Sequence, residues 1–98
     1  MTFAFEKERM TAFSDDGTPM GWIRFPRIRA GLVNIDQISL QPEFRNMGIE
    51  ETMMEALLPH LLQTHQKAAL SCPFAQQYIG SHSEWSQILP GRMHFTVH

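Results

Sequence analysis

The sequence predicts an α+β fold: a three-stranded antiparallel meander, a long helix, a parallel fourth strand and a short C-terminal helix. Three observations carry this. Apolar residues alternate through the first third of the chain. Asp15-Asp16-Gly17 and Ala30-Gly31 punctuate that third as turns. From Gly48 onward the apolar spacing changes to the period of a helix.

Phe3, Phe5, Met10 and Phe13 mark a first strand over residues 2–13. Ser14-Asp15-Asp16-Gly17 follows, and its Asp-Gly pair favours a hairpin. Met20, Trp22, Ile23, Phe25 and Ile28 mark a second strand. Pro26 interrupts it and cannot donate to a ladder, so an edge strand or a bulge is expected. Leu32–Leu40 is the strongest strand signal, and its alternation breaks at Asp36-Gln37, which suits a bulge. Ile49, Met53, Met54, Leu57, Leu58, Leu61 and Leu62 then form one apolar stripe on a helix from Gly48 to Thr64. Pro59 lies in that stripe and predicts a kink, because it removes one backbone bond. Lys67–Ser71 reads as the fourth strand. A helical crossover lets it lie parallel to the third. Pro73 suits the first turn of a second helix through about Ile79, which Gly80-Ser81-His82-Ser83 ends. Glu84–Leu89 forms a further short helical turn before Pro90-Gly91. No repeat or linker interrupts the chain, so residues 1–98 are read as a single domain.

Composition narrows the function. The 98 residues supply one modest core, and a net charge of −2 gives no electrostatic case for a nucleic-acid or anionic-membrane partner. No apolar run approaches the roughly 20 residues that span a bilayer. The segment Met1–Glu8 lacks a basic region followed by an apolar block. Cys72 is the lone cysteine, which excludes an internal disulfide. Together these lead to the expectation of a soluble cytoplasmic protein. His60, His65, His94 and His98 have no metal-ligand spacing and read as solvated or capping residues, so no metal is expected.

The most informative stretch joins the third strand to the long helix: Gln41-Pro42-Glu43-Phe44-Arg45-Asn46-Met47-Gly48-Ile49-Glu50. An arginine, a glycine and a helix N-terminus in line offer convergent backbone N–H groups to an anion, which points to a phosphate-bearing ligand. Glu50 opposes this by placing negative charge beside the anion. The plain structural reading is a strand-to-helix connection with a glycine at the helix start.

The segment Leu40–Ile49 resembles the acetyl-coenzyme A loop of the GNAT acetyltransferases, whose pattern is Gln/Arg-x-x-Gly-x-Gly/Ala after a strand ending in an apolar-x-Pro unit. One very short branch of that superfamily lacks the usual N-terminal helices. It carries a Cys-Pro-Phe/Tyr segment, then Tyr, then His-Pro-Glu-Tyr/Trp. Cys72-Pro73-Phe74, Tyr78 and His82-Ser83-Glu84-Trp85 are similar to it in order and spacing. The resemblance runs from about Phe5 to Leu89. It departs at Ser83, where the branch has proline, and at Glu50, where the pattern has a small residue. Asn46 and Met47 likewise replace small and polar residues.

The resemblance implies a GNAT-like fold and an acetyl-CoA-dependent N-acetyltransferase with acetyl-CoA as co-substrate. Arg45 and Gly48, with backbone N–H groups from Phe44, Asn46, Met47, Ile49 and Glu50, would hold the pyrophosphate. Ser39 and Leu40 would pair with the pantetheine arm and polarise the thioester carbonyl. Cys72 would stand near the acyl thioester as an acyl carrier or ligand contact, since a helix N-terminus favours a thiolate; its plain reading is a small core residue. Tyr78 would protonate the departing thiolate, or simply pack in the core. His82, Glu84 and Trp85 would lock the short helix onto the sheet. Asp36 and Glu43 are the only candidates for a base. The amine acceptor, a small molecule or a protein, is unspecified, and a homodimer is open. A carboxylate about 5 Å from a phosphate charge costs roughly 1–3 kcal/mol, so Glu50 is expected to weaken coenzyme A binding. The alternative is a non-catalytic coenzyme A-binding or acyl-CoA-binding module, or a protein-interaction domain pairing through an exposed strand edge.

Overall fold

The computed structural model describes residues 1–91; His94 and His98 lie outside the described residues. The α+β class and the element order are as expected, but each meander strand is two strands. Residues 2–13 form a hairpin of β1 (Thr2–Phe5) and β2 (Arg9–Phe13). The chain reverses there because the Glu6 amide donates to the Arg9 carbonyl at 2.7 Å, closing a tight turn that the loose alternation did not reveal. The second strand divides at Pro26 into β3 (Pro19–Arg24) and β4 (Arg27–Arg29). The third divides at Asp36 into β5 (Leu32–Ile35) and β6 (Gln37–Leu40).

These divisions distribute the strands over two sheets. One has the order β1-β2-β3-β6 and is antiparallel throughout. The other has the order β4-β5-β7, with β7 at Lys67–Leu70. Its β5–β7 pair is parallel, running from Leu32 opposite Lys67 to Ile35 opposite Leu70. Asp36 is the joint between the sheets. Its amide donates to the Arg24 carbonyl at 3.2 Å, while Gln37 is also registered against Arg24. Two residues oppose one, which bends the chain and transfers it from β7 to β3.

Helix α1 spans Ile49–Gln63, with Gly48 and Thr64 as its caps. Ile49, Met53, Met54, Leu57, Leu58 and Leu61 are its buried face. They share one core with Met10, Ile23, Phe25, Val33 and Ile35 of the strands. Burying each such side chain contributes about 1.5–3 kcal/mol, which outweighs the bond lost at Pro59 inside the helix. Helix α2 spans Pro73–Ser81, and a 3-10 turn at Ser83–Ile88 tucks Ile88 into the same core. A short 3-10 turn at Pro42–Phe44, where the sequence predicts a loop, stands between β6 and α1.

Candidate functional site

The bulge at Asp36 opens a gap between β6 and the end of β7. The amides of Ser71 and Cys72 both donate to the Ile35 carbonyl, at 3.1 and 3.0 Å, which ends the parallel ladder. Beyond that point the chain after β7 enters α2, while β6 follows β3. Among the described residues no strand pairs with β6 on its other side. The Gln41 amide donates to the Met20 carbonyl at 2.8 Å, and Trp22 lies opposite Ser39. Alternation along an antiparallel ladder then turns the peptide groups of Gln37 and Ser39 toward β3, and those of Ile38 and Leu40 toward the gap. Of the two residues expected to contact an extended ligand, Leu40 has its backbone on the open side. The backbone of Ser39 is engaged with β3, and that of Ile38 faces the gap instead.

The loop at the end of this gap builds a cradle. The Phe44 amide donates to the Gln41 carbonyl at 2.9 Å and the Arg45 amide to the Pro42 carbonyl at 3.3 Å, so these two expected donors are used within the loop itself. Asn46 and Gly48 then adopt left-handed backbone conformations, with φ of 64° and 73°. The first bond of α1 runs from the Thr52 amide to the Gly48 carbonyl at 3.4 Å. The amides of Gly48, Ile49, Glu50 and Glu51 therefore have no helical acceptor, and no side chain caps them. Among the described residues the amides of Asn46 and Met47 have no backbone partner either. Arg45 is exposed and Met47 is 65% exposed, while buried Ile49 anchors the cradle to the core.

Two carboxylates, not one, stand at this helix start. Glu50 is half-buried. The Glu51 carboxylate lies 3.8 Å from the position that a Cβ on Gly48 would take. Both suit the positive end of the helix dipole and compete with an incoming anion. Glu51 was legible as an acidic residue, but only the fold shows it turned back over Gly48.

Cys72 is 3% exposed at the N-cap of α2, so its backbone marks the apex of the gap. Tyr78 is 5% exposed and lies six residues further along, about 9 Å on the helix rise, so the two side chains do not converge on one point. The Tyr78 ring stacks on His82 with centroids 4.0 Å apart and on Phe74 at 6.3 Å. These three, with Gln77, Ser81 and Glu51, line a cavity of about 300 Å³ between α2 and the first turn of α1. Burial raises the Tyr78 phenol above its ordinary value, and Glu55, Glu84 and Glu51 add to the rise. Tyr78 therefore keeps its proton at neutral pH and can donate it. The spacing Phe74, Tyr78, His82 was the signal in the sequence for this column. A larger cavity of about 590 Å³ lies at the β1–β2 turn, between Glu6, Arg9, Arg24 and Pro26, and contains none of the expected site residues.

The two expected bases are not set up as bases. Asp36 accepts from Arg24 Nε at 3.1 Å and from Nη2 at 2.7 Å. That hydrogen-bonded guanidinium holds its carboxyl below the usual carboxylate range. Its ionised form is the one favoured, so the pairing supports the fold at neutral pH and is lost as pH falls through the carboxylate range. Glu43 is exposed on the 3-10 turn. In Arg24→Ala, carbon-detected NMR is expected to show the Asp36 midpoint rising toward the ordinary carboxylate value; a midpoint that does not move would mean that Arg24 is not its partner in solution. Among the described residues no group of His, Cys, Asp or Glu side chains is placed to hold a metal, and no helix is long and apolar enough to cross a membrane.

A family model described as GCN5-related N-acetyl-transferase matches residues 9–88. No curated protein matches the chain at a significant level. Among solved structures, a GCN5-like candidate N-acetyltransferase from Staphylococcus aureus is similar, with a TM-score of 0.71 at 18% identity over 99% of this chain and 95% of that one. A candidate acetyltransferase from Deinococcus radiodurans R1 has a TM-score of 0.54 at 17% identity, over 92% of this chain and 59% of that one. At these identities the structural likeness shows the fold.

Proposed function

The chain belongs to the GCN5-related N-acetyl-transferase family, and from that membership we propose that it transfers an acetyl group from acetyl-coenzyme A to an amine. The observation that carries this reading is the alignment of two sets of free peptide groups. The amides at the start of α1 lack internal acceptors, and the open edge of β6 leads directly into them. The first suits a pyrophosphate and the second an extended pantetheine arm.

In this arrangement the amides of Met47 to Glu51, with Arg45 beside them, hold the pyrophosphate. The peptide groups of Ile38 and Leu40 pair with the arm and present an N–H to the thioester carbonyl, where negative charge develops as the amine adds. Collapse of the adduct forms the amide and releases the coenzyme A thiolate. Tyr78 is the proton donor that α2 supplies, and Cys72 lines the apex of the gap. Asp36 is committed to Arg24, so the amine loses its proton to water. The acceptor enters from outside the gap and is a small amine or a protein.

Glu50 and Glu51 favour a second reading, a module that holds coenzyme A or an acyl thioester without turnover. Calorimetric titration with acetyl-coenzyme A tests what the two share. Dissociation constants between submicromolar and tens of micromolar are expected. No heat at millimolar ligand would remove both readings and leave an interaction domain.

A further inference from the structure

We propose that His82 is a second phosphate contact for the same ligand, one that strengthens as its imidazole gains a proton. The inference rests on the acetyl-coenzyme A reading and extends it from α1 to α2. Glu51 connects the two places. Its carboxylate lies over Gly48 in the cradle, and it also lines the cavity that contains His82. A ligand with phosphates on the amides of α1 therefore has this cavity beside it.

Two features fit the cavity to an anion. First, the orientation of His82 is fixed. Its Nδ1 lies 2.8 Å from the Tyr78 carbonyl, which can only accept, so Nδ1 carries the hydrogen. The ring is also held flat on Tyr78. Nε2 is left as the nitrogen that changes state: an acceptor when the ring is neutral, a charged donor when it is protonated. Second, His82 is the one cavity-lining group that can become cationic among the described residues; no Lys or Arg lines it. The charged groups that face the stacked rings are Glu51 and Glu55 of α1 and Glu84 of the second 3-10 turn. They repel an anion when His82 is neutral, and a protonated ring offsets part of that repulsion.

The test is acetyl-coenzyme A affinity between pH 6 and pH 8, in the wild-type chain, His82→Asn and His82→Gln. Asparagine keeps a short N–H for the Tyr78 carbonyl and removes the distal nitrogen. Wild-type affinity is expected to be roughly tenfold higher at pH 6 than at pH 8, the size of one charge-assisted contact, and the difference to vanish in both variants. A circular dichroism melt reports whether α2 survives each change. The same series with 3′-dephospho-coenzyme A locates the contact: loss of the pH effect assigns it to the 3′-phosphate, and its retention to the pyrophosphate. Wild-type binding that is flat with pH, or a pH effect that persists in folded His82→Asn, overturns the inference and leaves the acetyl-coenzyme A reading intact. Absence of wild-type binding at every pH overturns that reading and this inference with it.

Discussion

Replacing Glu50 with glycine is expected to tighten acetyl-coenzyme A binding roughly ten- to hundredfold. Glu50 is the second residue of α1, beside the free amides that the proposed function assigns to the diphosphate. Over about 5 Å the repulsion is roughly 1–3 kcal/mol for an effective dielectric between surface and bulk values. The same change acts on the fold with the opposite sign. A carboxylate in the first turn favours the helix, and glycine disfavours it, so the free protein should lose about 1 kcal/mol of stability. Higher affinity on a less stable scaffold separates an electrostatic cause from general tightening. Glu50→Gln, which removes charge but keeps size, should retain most of the gain. Unchanged affinity in both variants, measured by calorimetry, would show that Glu50 turns into solvent and never opposes the ligand.

Gly21→Ala is expected to destabilise the protein by about 2–3 kcal/mol, near the upper end for overpacking, and to lower its melting temperature by roughly 10–20 °C. A Cβ at this position of β3 would collide with the Ser39 carbonyl oxygen and stand 2.7 Å from Leu40 Cδ2. A leucine methyl can move, but a ladder carbonyl cannot move without parting the strands. Among the described residues β6 has β3 as its only partner strand. The damage therefore falls on Ile38 and Leu40, and acetyl-coenzyme A affinity should decline together with the melting temperature. A circular dichroism melt within a degree or two of the wild type would mean that β3 and β6 are not so closely apposed in solution.

The element order, the parallel fourth strand and both helices were legible because periodicity reports which face of an element is buried. Ile49 to Leu62 repeats at helical spacing, and Pro73 starts α2 where the sequence places it. The division of Leu32–Leu40 was legible only as a break in alternation at Asp36. Its consequence, a transfer from one sheet to the other, depends on partners far away in the chain: Arg24 on one side and Leu70 on the other. The hairpin at Glu6–Glu8 was missed because it has no glycine, proline or asparagine to mark the turn.

The site was legible along the chain and not across it. Arg45 to Glu50 stand together because they are consecutive. That Phe44 and Arg45 use their amides inside a 3-10 turn is a matter of backbone geometry to which side chains give no clue. Whether Ser39 or Ile38 faces the gap is set by one step of register against β3, which period-two alternation leaves undetermined. Glu51 and His82 share a cavity although 31 positions separate them in the sequence. Only the fold, which sets α2 across a cavity from the start of α1, brings them together.

The most direct test follows backbone amide resonances of the nitrogen-15-labelled protein during titration with acetyl-coenzyme A. The largest shifts should fall on Met47, Gly48, Ile49, Glu50 and Glu51, with a second group at Ile38 and Leu40 and little change at Phe44 and Arg45. Shifts confined to the cavity at the β1–β2 turn, or none at saturating ligand, would contradict a ligand held by the peptide groups of α1 and β6.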